Sequence, residues 1–356
     1  MSDEVTELWS EAAGIDKTLR VGTQDLPRLK MKRVEPTPFS RPLMFSRMAR
    51  GEINLFTDLR VPVMKGGDDV RAALTEGIRQ GFPASRTARI QAGPSRTRRR
   101  VKVPEVIRRW QGGRAILSVT DLHFRRTKFD DVIDTSALSD FNVLCTDPEF
   151  GPEFMQVIEM MTLVVSTAGN LTDNHADDCD GTNHCFLGRK LWLAWDRMEG
   201  KAAGFQDVDR DTVFDQAAFD IGKFLSLPSS RWFTVEPGQT LFLPGSLAHK
   251  VITLEHYIGV GSFHVALPGY LRCLERWIAH DTHDIVPKGL LCKVNRAVLR
   301  RLGVVKGAAA GVKERWGLEH MRRAVEEWAE DADGATKRTL LGNPFFSEFI
   351  ETARRV

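Results

Sequence analysis

The chain has 356 residues, of which 42% are hydrophobic and 27% charged, the balance of a soluble globular protein large enough to bury a core. The net charge of +3 is too small to indicate nucleic acid as a partner, and no apolar run approaches the ~18 residues of a membrane span. The five cysteines form no CxxC pair and the N-terminus lacks a basic-then-apolar signal pattern, which argues against a disulfide framework and predicts a cytoplasmic protein, or a nuclear one in a eukaryote.

Residues 1–110 predict an N-terminal extension of mixed, partly helical structure. Helical spacing of apolar residues predicts helices over 2–13, 68–80 and 104–110. Between the first two, five prolines and the absence of a clear period predict an irregular segment over 20–65.

A basic stretch from Arg86 to Lys102 contains seven positive charges and no acid. It could bind an anionic partner such as nucleic acid, a phosphate or an acidic peptide. The interpretation favoured here is a solvated loop whose arginines pair with acids elsewhere, because a charge run alone is weak support for binding. No aromatic residue interleaves with the arginines, so stacking on bases is unsupported.

Residues 111–268 predict a mainly β core. Short apolar runs alternate with turn signals, and no long helix lies between most of them, which is typical of a sandwich or barrel. The turn at Pro237–Gly238 predicts a type II hairpin between two of these strands. The predicted strands cover 116–124, 161–167, 191–195, 231–235, 240–244, 249–255 and 256–268, with helical stretches at 153–160 and 211–225.

Residues 269–356 predict a helical C-terminal region. Apolar residues recur at helical spacing over 270–282, 293–302, 312–329 and 343–354. We expect these helices to pack on the β core and to offer a surface for a homodimer.

Two histidines and one carboxylate stand in a pattern that suits a metal. His175 and Asp177 are separated by one residue, so in an extended segment both side chains point the same way. His249 follows a Pro-Gly turn and a short apolar strand, and a rolled antiparallel fold can bring it beside the first pair. This is the 2-His-1-carboxylate set that holds non-haem Fe(II) and leaves positions open. Asp178 and Asp180 are nearby candidates to orient the imidazoles.

With these motifs, the segment 161–268 resembles a JmjC domain, the cupin-like double-stranded β-helix (jelly roll) of Fe(II)- and 2-oxoglutarate-dependent oxygenases. The resemblance covers about a third of the chain and rests on motif and spacing. It implies iron ligation by His175, Asp177 and His249, with 2-oxoglutarate as cosubstrate and O2 as oxidant.

The same resemblance implies a set of cosubstrate-binding residues. Lys190, fifteen residues after His175, matches the basic residue that pairs with the distal carboxylate, and Thr172 matches a second anchor for it. His264, fifteen residues after the distal histidine, replaces the asparagine that is frequent in the family. Asn183 is a further candidate to face the cosubstrate.

The implied function is hydroxylation of a C–H bond in a protein side chain or a small metabolite. One alternative is a JmjC N-methyl-lysine demethylase, and another is an inactive JmjC-like binding protein, for which the replacement at His264 is the best argument. From the residues alone, a β sandwich with ordinary histidines or a hydrolytic Zn2+ in the same three ligands also stays open. A zinc knot of Cys179, His184 and Cys185 is disfavoured by their crowding.

Overall fold

The structure is a computed structural model of the chain. It describes residues 4–64, 69–92, 97–113, 117–147, 161–177, 179–205, 219–245, 247–279 and 288–356. Within these ranges the chain builds a β core, with shorter helices and strands before it and a helical region after it. A β core with a helical C-terminal region is what the sequence predicts. The predicted helix over 153–160 lies outside the described residues.

The described strands form a nine-stranded sheet and a four-stranded sheet, in which nearly all neighbours are antiparallel. The nine-stranded sheet has the order β1-β2-β11-β8-β13-β6-β5-β3-β4, and the four-stranded sheet the order β10-β9-β12-β7. The strands are β1 (Thr37–Pro38), β2 (Asn54–Thr57), β3 (Thr87–Ala92), β4 (Thr97–Lys102), β5 (Leu117–His123), β6 (Thr162–Ser166), β7 (Leu171–Ala176), β8 (Asp180–Leu187), β9 (Lys190–Asp196), β10 (Arg231–Val235), β11 (Thr240–Leu243), β12 (Leu247–Thr253) and β13 (Tyr257–His264).

The helices surround these sheets and make up most of the described chain after β13. A single 3-10 turn, Lys128–Asp131, lies between β5 and the next helix. The helices are α1 (Glu4–Ile15), α2 (Leu26–Lys32), α3 (Arg41–Arg50), α4 (Val70–Gly81), α5 (Val103–Gly112), α6 (Ser136–Ser139), α7 (Val143–Thr146), α8 (Arg197–Ala202), α9 (Ile221–Ser226), α10 (Leu267–Ala279), α11 (Lys288–Lys306), α12 (Ala310–Arg315), α13 (Leu318–Asp331), α14 (Gly334–Leu341) and α15 (Pro344–Arg354).

The core strands change sheet at almost every step along the chain. β6, β8, β11 and β13 belong to the large sheet, whereas β7, β9, β10 and β12 belong to the small one. Side chains from both sheets, including Cys185 and Tyr257 of the large sheet and Trp192 and Val251 of the small one, pack together in one cluster. We call the volume between the sheets the inner space. Because strand side chains alternate, each strand sends one row into it and the other row outwards.

The outward rows are covered by helices. On the small sheet, α1 and α9 bury Trp9 and Phe224 against the strands. On the large sheet, α4 and α5 do the same through residues such as Leu74 and Trp110. The N-terminal elements thus share their hydrophobic core with the central strands. No helix in the described ranges is long and apolar enough to cross a membrane.

The prediction of an irregular segment over 20–65 is wrong. It contains α2, α3 and two short strands. Pro27 and Pro42 stand in the first turns of α2 and α3, where a missing N–H is of no consequence and the fixed φ favours a helix. The prolines therefore mark helix starts, not interruptions.

The predicted hairpin at Pro237–Gly238 is wrong, although the turn itself is present. Gly238 has φ +82°, and the Gln239 N–H donates to the Glu236 carbonyl at 2.9 Å. However, β10 pairs with β9 and β11 pairs with β2 and β8. The turn passes the chain from one sheet to the other.

Candidate functional site

Two neighbouring strands of the small sheet bring the predicted metal ligands together. His175 of β7 lies directly opposite His249 of β12 in the antiparallel register. Ala176, which follows His175, pairs with Ala248, which precedes His249, and Asp177 is then the first residue beyond β7. The sheet register therefore juxtaposes the histidines, and the carboxylate comes from the chain as it leaves the sheet.

The three side chains form a compact cluster. One ligand atom from each of His175, Asp177 and His249 lies within 4.8 Å of the others. Nε2 of His249 is 3.7 Å from Oδ2 of Asp177, and the two imidazole centroids are 4.1 Å apart. His249 is buried and the other two are half-buried, so the cluster can be reached from one side. In the described part of the chain, no other group of His, Cys, Asp and Glu side chains has this arrangement.

His249 is neutral and its Nε2 lone pair points towards the cluster. Nδ1 of His249 lies 3.2 Å from the Leu247 carbonyl oxygen, and since a carbonyl only accepts, Nδ1 carries the proton. Burial, helped by His175, lowers the pKa of His249 to about 4, although Asp177 opposes the shift. At neutral pH the contact with Asp177 thus joins two acceptor atoms. Two acceptors that face a common point are the donor set of a cation site, and this set suits Fe2+ or Zn2+.

A buried lysine faces the inner space from the start of β9. Lys190 shares the inward face of its strand with Trp192 and Ala194, and its Nζ is 4.3 Å from the centroid of the Tyr257 ring. Lys190 is 4% exposed and forms no ion pair among the described residues. Burial lowers its pKa to about 8, so the ammonium is largely charged at neutral pH. A buried cation without a carboxylate partner is costly, and an anionic ligand would offset that cost.

Three polar atoms around Lys190 are buried without a hydrogen-bond partner in the described structure. They are Oγ1 of Thr253, Oγ of Ser166 and Nε1 of Trp192. Thr253 lies opposite Lys190 in the strand register, and Ser166 lies opposite Tyr257. The sequence motifs identified none of these three residues. The alternation of side chains along a strand would, however, have placed Trp192 on the same face of β9 as Lys190. Together they make one end of the inner space polar.

Thr172 and Asn183, both predicted as cosubstrate-binding residues, face the same space. Thr172 pairs with Val251, whose other neighbour across the sheet is Trp192. It therefore lies one inward row from the histidine pair, on the Lys190 side. Asn183 accepts a hydrogen bond from the Tyr257 hydroxyl. The structure thus brings these residues and Lys190 to the space that the metal cluster adjoins.

His264 is not part of this group, which corrects the sequence-based assignment. On β13 the inward row contains Tyr257, and His264 is seven residues further, so it points to the opposite face. There its Nε2 lies 2.7 Å from Oγ1 of Thr182, and its ring packs against Phe141 and Phe242. Burial lowers the pKa of His264 to about 4. His264 was selected because it lies fifteen residues after His249. Those fifteen residues include the turn between β12 and β13, and the length of this turn determines which face of the sheet His264 occupies.

The zinc knot of Cys179, His184 and Cys185 does not form. His184 points outwards, where its Nδ1 lies 2.7 Å from Oγ1 of Thr240. Cys185, the next residue, points into the inner space. Neighbouring residues of a strand face opposite ways and cannot converge on one ion.

Of the two residues suggested to orient the imidazoles, Asp180 acts elsewhere. Asp178 lies outside the described residues. Asp180 forms an ion pair with Arg272 and accepts a hydrogen bond from the Gly245 N–H at 3.0 Å. The acceptor that orients His249 is the Leu247 carbonyl, which no side-chain motif can reveal.

The described parts of the basic stretch form two paired antiparallel strands, so the prediction of a loop is wrong for them. β3 and β4 pair over their full lengths, and β4 is an edge strand of the large sheet. Arg89 and Arg100 are directly opposite each other and exposed. Neither they nor Lys102 form an ion pair among the described residues. The β3–β4 pair lies beyond β6 and β5 in the sheet and does not contribute to the cluster.

Comparison of the chain with known protein families gives no match to any family, and comparison with curated proteins gives no match to any of them.

Proposed function

We propose that the chain is an Fe(II)- and 2-oxoglutarate-dependent dioxygenase of the JmjC type, which hydroxylates a C–H bond of a protein side chain or a small metabolite. One observation carries the proposal: the His175–Asp177–His249 cluster adjoins the space that holds a buried Lys190 without an ion-pair partner. A hydrolytic zinc enzyme could use the same three ligands. It would give no role to the buried Lys190 ammonium, which has no ion-pair partner among the described residues.

The strand arrangement supports the same proposal. Strands β6 to β13 pass between two facing sheets at nearly every step, with the inner space between them. A double-stranded β-helix, the jelly roll of JmjC and cupin proteins, is wound in this way. In this arrangement the metal ligands would come from β7, from the residue that follows it, and from β12.

The roles of the side chains follow from their positions. His175, Asp177 and His249 would hold Fe(II) and leave positions open. When bound, iron and 2-oxoglutarate would supply the chemistry that activates O2, the oxidant: one oxygen atom would end in succinate, formed with release of CO2, and the other would enter the C–H bond. Lys190 would bind the distal carboxylate by a charge-assisted hydrogen bond, with the Thr172 hydroxyl as a second donor. Asn183 would hold the cosubstrate through its amide.

Buried aromatic side chains would keep water away from this end of the inner space. Trp192 stacks on Phe233, with ring centroids 6.3 Å apart and planes inclined by 11°. The Trp192 ring is also 5.3 Å from that of His249. A dry, apolar wall beside a charged group strengthens its attraction for an anion.

Two related functions would use the same residues. An N-methyl-lysine demethylase performs the same chemistry on a methyl group bound to nitrogen and releases formaldehyde. An inactive binding protein would lack turnover. Its best argument was the histidine at position 264, but His264 lies on the outer face of the sheet and has no bearing on the inner space.

The test is production of succinate from 2-oxoglutarate, with and without added Fe(II), followed by mass spectrometry on a panel of peptides and metabolites. We expect iron-dependent succinate formation, abolished in Asp177→Ala, and a product that gains one oxygen atom. Loss of one CH2 unit with release of formaldehyde would establish demethylation instead. Full activity after chelation or in Asp177→Ala would refute the proposal.

A further inference from the structure

The C-terminal helix α10 contacts both chain segments that deliver the metal ligands. The Arg276 side chain is buried, and its Nη2 donates a hydrogen bond to the backbone carbonyl of Asp177. A hydrogen bond on the carbonyl restrains the backbone that carries the ligand carboxylate, because Asp177 lies beyond the last paired residue of β7.

The same guanidinium lies against the turn that leads to His249. A Cβ built at Gly245 would be 3.0 Å from Nη1 of Arg276 and 2.5 Å from the carbonyl oxygen of Cys179. Only a glycine allows this close approach. Gly245 is four residues before His249, so one side chain spans the segment after β7 and the segment before β12.

A second arginine of the same helix strengthens this link. Arg272 pairs with the buried Asp180 at the start of β8, and Oδ1 of Asp180 also accepts from the Gly245 N–H. The helix approaches closely here, since a Cβ at Gly269 would lie 2.4 Å from Oδ2 of Asp180. Buried charged groups with such partners are held firmly, because breaking the pair leaves a charge without compensation.

We propose that Arg276 is a positioning residue of the metal cluster, supported by Arg272 through Asp180, and that α10 sets the distance between Asp177 and His249. This rests on the metal site of the proposed function, but not on its substrate or cosubstrate. Partners outside the ligand set typically change metal affinity by ~10- to 100-fold.

The test uses Co2+ as a spectroscopic probe on the full-length protein. Wild type, Arg276→Met and Arg276→Lys are titrated, with affinity and the ligand-field absorption spectrum recorded, and their unfolding in denaturant is measured without metal. Arg300→Met is the matched control, because it breaks a C-terminal ion pair with Asp147 away from the ligand segments.

We expect Arg276→Met to bind Co2+ about tenfold more weakly or worse, with an altered absorption spectrum. The lysine variant should bind several-fold more weakly, because a single ammonium cannot replace a planar fork that spans two segments. Arg300→Met should keep wild-type affinity. Wild-type affinity and spectrum in whichever Arg276 variant folds would overturn the proposal. If wild type itself binds no Co2+, the metal site of the proposed function fails instead.

Discussion

Among the described residues, Lys190 has the surroundings that indicate an anionic ligand most directly. Its ammonium is buried against the Tyr257 ring, and no acid of the described residues pairs with it. Burial of a charge costs several kcal/mol unless an opposite charge compensates for it. Burial also lowers the pKa of Lys190, to about 8. A dianionic cosubstrate would remove the cost of burial.

Replacing Lys190 should weaken cosubstrate binding selectively. We expect Lys190→Met to raise the 2-oxoglutarate concentration for half-saturation by more than about tenfold, because loss of a charge-assisted pair costs ~1.5–3 kcal/mol. Metal affinity should change little. The control is Lys223→Met, since Lys223 is exposed on α9. An unchanged titration in the Lys190 variant would remove this residue from the cosubstrate site.

Cosubstrate affinity should also fall with rising pH. Below about pH 8 Lys190 is charged and the affinity should be constant. Above it the free protein loses this proton, so the affinity should fall by up to about tenfold per pH unit until the pKa of the complex is reached. The facing groups Cys185 and Tyr257 do not interfere, because burial raises the Cys185 pKa to about 12 and the Tyr257 pKa well above its usual value. Calorimetric titrations from pH 7 to 9.5 would measure this, and a flat profile would contradict it.

Among the elements, the turn between β8 and β9 sets the position of Lys190. Gly188 has φ +79°, and a Cβ there would lie 2.2 Å from the backbone carbonyl oxygen of His256. Gly238, in the turn between β10 and β11, has φ +82° but nothing within 4 Å of its Cβ position. The two glycines share a backbone conformation and differ in the space around them.

This pair separates backbone strain from steric conflict. Gly238→Ala should lower the free energy of unfolding by ~1–2 kcal/mol, the cost of a left-handed conformation for an L-residue. Gly188→Ala should cost a further ~1–3 kcal/mol, because backbone atoms have to move apart. Urea denaturation of both variants measures the difference. An equal loss of unfolding free energy in the two variants would show that the backbone around His256 moves away from the added Cβ at no cost.

Helix α1 is attached to the outer side of β12 by a buried ion pair. Nζ of Lys250 is 3.0 Å from Oδ2 of Asp16, and both side chains are less than a tenth exposed. Burial favours protonation of Asp16, but Lys250 and the Thr18 hydrogen bonds outweigh it and lower the pKa of Asp16. Lys250 is the residue after His249, so this contact holds the strand that carries a metal ligand.

Removing the buried carboxylate should destabilise the fold strongly. We expect Asp16→Asn to cost ~1.5–3 kcal/mol, because the Lys250 ammonium loses its charge-assisted hydrogen bond to the carboxylate 3.0 Å away. Glu11→Gln is the control: it breaks the more exposed Glu11–Arg189 pair of the same helix and should cost at most ~1 kcal/mol. Since the pKa of Asp16 is lowered, its contribution should be present above pH ~4 and disappear as the pH falls through the native pKa. Similar costs for the two variants would contradict this assignment.

At the scale of the whole molecule, the C-terminal helices and the β core share one hydrophobic cluster. Tyr270, Leu274 and Phe349 pack with Cys179 and Val265 of the core. Helix α10 also contacts α3 of the N-terminal part. The helical region is therefore integrated with the sheets by burial as well as by Arg272 and Arg276.

A chain that ends at Pro268 should not fold into a soluble core. It would expose the apolar core residues that pack on the missing helices, and it would lose Arg272 and Arg276, which contact the ligand segments. Soluble yield, circular dichroism and size-exclusion chromatography of the short and full-length chains test this. A folded short chain that binds Co2+ would show that α10 is dispensable. The sizing of the full-length chain also tests the homodimer, which stays a prediction.

The sequence alone predicted the features that depend on short separations. The spacing of His175 and Asp177 places both on one side of an extended segment, and the apolar runs around Leu193 and Val251 have the length and composition of strands. The helical period after Pro268 is equally local. These patterns follow from backbone geometry, which is the same in every fold.

Only the tertiary structure decided which strands pair and which way their side chains face. His264 was assigned to the site by counting, but the turn before β13 set its register and directed it outwards. β10 and β11 flank a tight turn and nevertheless join different sheets. Arg276 contacts Asp177 across 99 residues of sequence. Such contacts depend on how separate elements bury their apolar faces together, and the free energy of that burial belongs to the assembled core and not to any one segment.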